Sequence, residues 1–174
     1  MQTPTKNTSL NQSTVATDKL KTFFVEHLHR VYCAKSHLAQ SLPEFVEQTH
    51  FIDLRQAIVE TNEDLLKQLA RMKEIFILMD EEISFDGFKD LIGLIEIAYN
   101  GVHENSGDAE LRDLSILFYM QNVESMEMTS FQILQIASIK LNDKRIGQLL
   151  KENYDEAKGD RALMKLIMDK YLVN

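Results

Sequence analysis

Leu117-Phe118-Tyr119-Met120-Gln121-Asn122-Val123-Glu124-Ser125-Met126-Glu127-Met128-Thr129-Ser130-Phe131 is the stretch that decides the fold. Within it and just beyond, Leu117, Met120, Glu124, Glu127, Phe131 and Leu134 follow one another at steps of 3, 4, 3, 4 and 3. Such steps keep residues on one stripe of an α-helix, the stripe that faces its neighbours in a bundle. Two carboxylates occupy the middle of that stripe, where leucine would be usual. A buried carboxylate without a partner costs several kcal/mol, comparable with the stability of a whole domain. Glu124 and Glu127 must therefore face a cation, share a proton or reach water.

Three more stripes with the same period lie on either side. Phe24, Leu28, Val31, Lys35, Leu38 and Leu42 form the first, with one lysine near its centre. Asp18 is a suitable N-cap for this helix, and Pro43 ends or kinks it. Leu54, Ile58, Thr61, Leu65, Gln68, Met72, Ile75 and Met79 form the second, with Asp64 one turn from both of its central polar residues. The stretch containing Glu124 belongs to a third helix, from about Asp108 to Ile139. Leu141-Asn142-Asp143 stops it and caps the next. Ile146, Leu150, Asn153, Ala157, Asp160, Met164, Ile167 and Tyr171 complete the set. Residues 80–107 are a long connection. Within it Leu91, Ile92, Leu94, Ile95, Ile97 and Ala98 read as a short buried helix, because the run lacks the two-residue alternation of a strand. The predicted fold class is therefore all-α: a ferritin-like four-helix bundle with a long crossover containing an additional short helix. Residues 1–17, rich in Thr, Asn, Gln and Ser, read as a disordered tail. Residues 18–174 are the helical bundle domain.

Composition narrows the function classes. Hydrophobic residues make up 44% and charged residues 26% of the 174, an ordinary globular balance. A net charge of −8 argues against nucleic acid as a partner. No apolar run is long enough for a membrane span. The single Cys33 forms no internal disulfide, which suits a reducing, cytoplasmic location. No phosphate-binding glycine loop, zinc cysteine pattern or Ser/His/Asp order occurs.

All four stripes are apolar at both ends and polar in the middle. Antiparallel helices bring their centres to one level, so Lys35, Thr61, Gln68, Glu124, Glu127, Asn153 and Asp160 are expected in a shared layer, with Asp64 beside it. Buried polar groups satisfy each other or bind something. The expected core network is Lys35, Gln68, Glu124, Glu127 and Asp160, with Lys35 bridging Glu124 and Glu127. The alternative is a metal site for Fe or Mn at Asp64, Glu124, Glu127 and Glu156 or Asp160. Carboxylate sites of this kind in bundles use two glutamates and two Glu-x-x-His pairs, and no histidine stands on these stripes. An ammonium group among the ligands would also repel a second dication. His27 and His29, off the first stripe, read as surface groups.

The segment Phe23-Phe24-Val25-Glu26-His27-Leu28-His29-Arg30-Val31-Tyr32-Cys33-Ala34-Lys35, followed by Leu42-Pro43, resembles the first helix of the bacterial YciF/YciE-like family of the ferritin-like superfamily. Arg71-Met72-Lys73-Glu74-Ile75-Phe76, Gln121-Asn122-Val123-Glu124-Ser125-Met126-Glu127 and Leu149-Leu150 with Asp155-Glu156-Ala157-Lys158 are similar to its later helices, in the same order. The resemblance implies a dimeric, stress-associated bundle whose first helix continues to about Glu47. It also implies altered ligand positions. Lys35, Ser125 and Ala157 stand where the family has Glu, His and Glu, and Gln68 stands where a His often occurs. The expectation is a YciF-type protein without a catalytic residue or cofactor, its metal site degenerate and Lys35 paired with the core carboxylates. The alternative is an Fe- or Mn-dependent oxidase or peroxide-handling enzyme that uses the remaining acids. A homodimer is the expected partner state, and no small-molecule substrate is legible.

Overall fold

A computed structural model describes residues 16–85, 100 and 107–173. Four long helices make up nearly all of them: α1 (Thr17–Gln48), α2 (Ile52–Leu78), α3 (Ala109–Leu141) and α4 (Lys144–Val173). The architecture is the predicted all-α, ferritin-like bundle. Of the tail expected over residues 1–17, residues 1–15 lie outside the described residues, and so does the short crossover helix.

One helix end departs from the sequence reading, and another meets what the resemblance implies. The N-cap of α1 is Ala16, which contributes no side-chain bond. Asp18 instead sits in the first turn, where a carboxylate still favours the positive end of the helix dipole. At the other end α1 runs through Pro43 to Gln48. A proline inside a helix forfeits a backbone bond, and burial beyond it offsets that loss. Phe45 is fully buried with its ring edge-on to Tyr119, 5.6 Å between centroids. Between α3 and α4 the stop is as read. Asn142 takes a left-handed conformation at φ 57°, and Asp143 Oδ1 accepts from the backbone N–H groups of Arg145 and Ile146 at 2.9 and 3.0 Å.

The direction of each helix follows from one buried carboxylate. Asp113, near the start of α3, accepts hydrogen bonds from the backbone N–H groups of His50 and Phe51, in the turn between α1 and α2. α2 and α3 thus begin at the same end of the bundle and run parallel. The chain must travel the bundle's length between Leu78 and Ala109, which is why the connection is long. Tyr171, at the end of α4, stacks on Phe51 at this same end, 3.7 Å between rings. α1 packs on α2 and α3, and α4 packs on α3 and α2. Residues 81–85 start the return along α1. The carbonyl of Glu82 lies 2.9 Å from His29 Nε2, and Cys33 Sγ donates to the carbonyl of Ser84 at 3.6 Å. His29 is therefore a buried tie between α1 and this segment, not a surface group. Its neighbour Phe76 covers the ring.

The apolar interior falls into two clusters. One, around Leu42, Phe45, Leu54, Ile58, Leu117 and Ile167, fills the end near Asp113. The other, around Phe24, Leu28, Phe76, Phe131, Ile146 and Leu150, fills the opposite end. Polar side chains lie between them.

Candidate functional site

The polar layer is built by the central turn of each helix stripe. Helical spacing places Lys35, Thr61, Gln68, Glu124, Glu127, Asn153 and Asp160 all in the interior. Lys35 is 1% exposed, Glu124 2%, Glu127 5% and Asp160 5%. Burial of a lysine to this degree calls for an anionic partner. Lys35 Nζ, from α1, donates to Glu127 Oε2 of α3 in a short contact. The Phe131 ring, one turn along α3, lies with its centroid 5.4 Å from the same ammonium and adds a cation–π attraction.

Glu124 stands one turn away on α3. Its Oε2 is buried and has no hydrogen-bond partner among the described residues. Burial foremost, then the Glu127 charge, raises its carboxyl well above the ordinary carboxylate range. Asp160 of α4 is raised to about 7, again by burial first and by Asp64 second, with Lys35 pulling the other way. Coupled acids near one cation titrate as a group. Both shifts favour the neutral form of Glu124 and Asp160 over the carboxylate. Thr61 Oγ1 and Gln68 Oε1 are also buried without a partner among the described residues. Asn153 Nδ2 donates to the backbone carbonyl of Gln68 at 3.3 Å and so ties α4 to α2.

The remaining sequence candidates lie at the edge. Asp64 is half-buried and paired with Lys67 at 2.6 Å. Glu156 is gripped by both terminal nitrogens of Arg71, at 2.6 and 2.7 Å. Arg71 Nε also meets Glu152 at 3.1 Å, and its Nη1 donates to Asn153 Oδ1 at 3.3 Å. Glu156 is thereby tied to α2. Among the described residues, no three His, Cys, Asp or Glu side chains converge closely enough to hold a metal ion.

Two buried or half-buried polar residues, Arg71 at the layer and Asp113 at the bundle's end, are missing from the sequence-derived set. Arg71 lies off the α2 stripe and enters the sequence reading only as part of a family motif. The signal for it is its step of three from Gln68. Asp113 continues the α3 stripe one step before Leu117, at a spacing of 4. Extending the stripe by that step places it inside.

A family model described as a domain of unknown function, DUF892, matches residues 19–173. The chain belongs to the DUF892 family. Protein YciF of Escherichia coli strain K12 is 28% identical to it over 137 residues, 78% of this chain and 81% of that protein. A crystal structure described as that of the E. coli stress protein YciF superposes with a TM-score of 0.80 at 25% identity, covering 88% of this chain and 96% of the other. YcfI from Rhodopseudomonas palustris shares the fold, with a TM-score of 0.77 at 22% identity over 89% of this chain and 96% of its own. The chain is thus a DUF892 protein of YciF type. None of its described helices is long and apolar enough to cross a membrane.

Proposed function

We propose that this DUF892 protein is a cytoplasmic, stress-associated bundle whose central polar layer is balanced by an internal ammonium in place of metal, and that it acts through its surface. The stress association comes from its similarity to the E. coli stress protein YciF. The observation that carries the reading is the fully buried Lys35 bonded to Glu127. A ferritin-like layer implies a pair of metal ions, and the residues present do not suit them. The lysine occupies a carboxylate that would have to bridge. Arg71 holds Glu156, and among the described residues no histidine joins the layer. Two more acids, Glu124 and Asp160, are raised toward their protonated forms, in which they bind cations poorly. Hard dications need several ionised oxygens around them.

The competing reading is an Fe- or Mn-dependent oxidase or peroxide-handling enzyme. It uses Asp64, Glu124, Glu127 and Asp160 or Glu156 as ligands and requires Lys35 to leave Glu127. Metal content separates the two. Protein purified from cells grown with added iron and manganese is expected to hold far less than one ion of either per chain. Lys35→Glu removes the ammonium and supplies a fourth acid. That variant is expected to bind Mn(II) by calorimetry and to melt higher in its presence. Stoichiometric metal in the wild-type chain would overturn the proposal.

A further inference from the structure

A groove of about 180 Å³ opens between α1 and α3, walled by Val31, Ala34, Met126, Ile133 and Leu134. Apolar cavities of about 150 Å³ stay dry and take up small apolar molecules such as benzene. The groove follows α1 from His27 to Ala34, about 10 Å of helix. Its shape is therefore that of a short chain, longer than it is wide. The two helices run antiparallel, and the contact of Lys35 with Glu127 fixes their register. Ala34 thus lies near Met126 and Glu127 at the inner end, beside the polar layer. His27 lies near Ile133 and Leu134 at the other. Charge is distributed unevenly along this length. Arg30 stands exposed toward the His27 end. Glu127 lines the inner end, and its charge is taken up by Lys35. Another groove, between α2 and α4, is lined by Asp53, Glu60 and Lys170, with the lysine already bonded to Asp53.

We infer that the groove between α1 and α3 binds a free medium-chain aliphatic carboxylate, of the octanoate or decanoate class, with its chain along the apolar walls and its carboxylate at Arg30. Size and lining select the chain. A small pocket that is apolar apart from a few placed polar groups is the usual form of a small-molecule site. Met126, half-exposed at the mouth, is a flexible wall that can close over chains of differing length. Charge selects the head group and its direction. A guanidinium matches a carboxylate with two parallel N–H bonds. Arg30 Nη2 donates to Glu26 Oε1 at 2.8 Å, one turn back on the exposed side of α1. Exposed ion pairs of this kind contribute little, so a ligand carboxylate replaces Glu26 at small cost. The reverse orientation would bring the ligand carboxylate against Glu127. The acids of the groove between α2 and α4 would likewise repel it. The inner end of the chain covers Glu127, and the Lys35 contact beneath it is further shielded from water. The inference draws only on that contact and not on the metal content of the layer.

Calorimetric titration of the full chain with sodium decanoate, kept below its micelle threshold, tests this directly. Saturable binding of one decanoate per chain is expected, with a rise in melting temperature that grows with ligand concentration. Decanol has the same chain without the charge and is expected to bind about tenfold more weakly or less. Arg30→Ala changes an exposed side chain and is expected to weaken decanoate by about tenfold or more while leaving decanol unchanged. Ser130 also lines the groove, and Ser130→Phe is expected to fill it and abolish binding of both, with helical circular dichroism retained. In the wild-type chain the methyl resonances of Met126 and Ile133 are expected to shift during the titration. That of Leu166, in the groove between α2 and α4, is expected to stay in place. Absence of saturable decanoate binding would overturn the site, and so would shifts at Leu166 in place of Met126 and Ile133. Decanol binding as tightly as decanoate, or an Arg30→Ala variant with undiminished affinity, would overturn the assignment of the head group. Sedimentation with phosphatidylglycerol vesicles in the absence of decanoate binding would overturn the free acid as occupant in favour of a lipid surface.

Discussion

Lys35→Ala is expected to lower the unfolding free energy by about 3–5 kcal/mol, the range for removing one partner of a fully buried ion pair. The loss has two sources. Glu127 keeps its place in the interior with no cation beside it, and a cavity replaces the four-carbon stem of the lysine. Glu124 and Asp160 both feel the Lys35 charge, so removing the ammonium pushes these acids further toward protonation. Urea denaturation at pH 7 measures the change. A loss below about 0.5 kcal/mol is what a solvent-facing lysine would give, and it would place Lys35 outside the layer.

The second large effect is a dependence on pH that runs opposite to ordinary acid denaturation. Asp160 holds its proton up to about pH 7 in the folded chain, against an ordinary value of 3.8. Between those values the folded state binds more protons than the unfolded one, so stability from this group falls as pH rises. It is fully present below 3.8 and lost as pH passes through about 7. Glu124, raised by burial and by Glu127, acts in the same direction. The slope reaches about 1.4 kcal/mol per pH unit for one proton. Surface acids paired with lysines contribute in the opposite sense, so the contrast with Asp160→Asn isolates the effect. The asparagine variant is expected to match wild type near pH 4 and to exceed it by on the order of 2 kcal/mol at pH 8. Parallel stability curves for the two proteins would mean that Asp160 is solvated.

The fold can be read from the sequence because each helix carries its burial pattern in full. Steps of 3 and 4 persist along all four stripes, and nothing else in the chain competes with them. The polar layer is legible for the same reason, since Glu124, Glu127 and Lys35 interrupt stripes that are otherwise apolar. Long-range pairing is less legible. Periodicity says that Lys35 faces inward, but the choice of Glu127 over Glu124 depends on the axial offset of α1 against α3. The sequence puts Lys35 between both acids, and the structure joins it to Glu127. Arg71 is hard to read because it lies at the edge of the α2 stripe, where an arginine can either reach solvent or grip a neighbour. His29 looks like a surface group in sequence because it lies off the α1 stripe, and its Nε2 partner, the Glu82 carbonyl, lies beyond α2 where no periodicity points to it. The N-cap of α1 shows a limit of another kind: Asp18 is a good cap by type, but the first turn forms ahead of it.

The measurement closest to the central claim is a double-mutant cycle between Lys35 and Glu127, using Lys35→Met and Glu127→Leu. Each single change leaves one buried charge alone, whereas the double change leaves an apolar pair of similar volume. The lysine-balanced layer predicts that the double variant is nearly as stable as wild type, with a coupling of more than about 2 kcal/mol. Singles whose losses simply add in the double variant would contradict it.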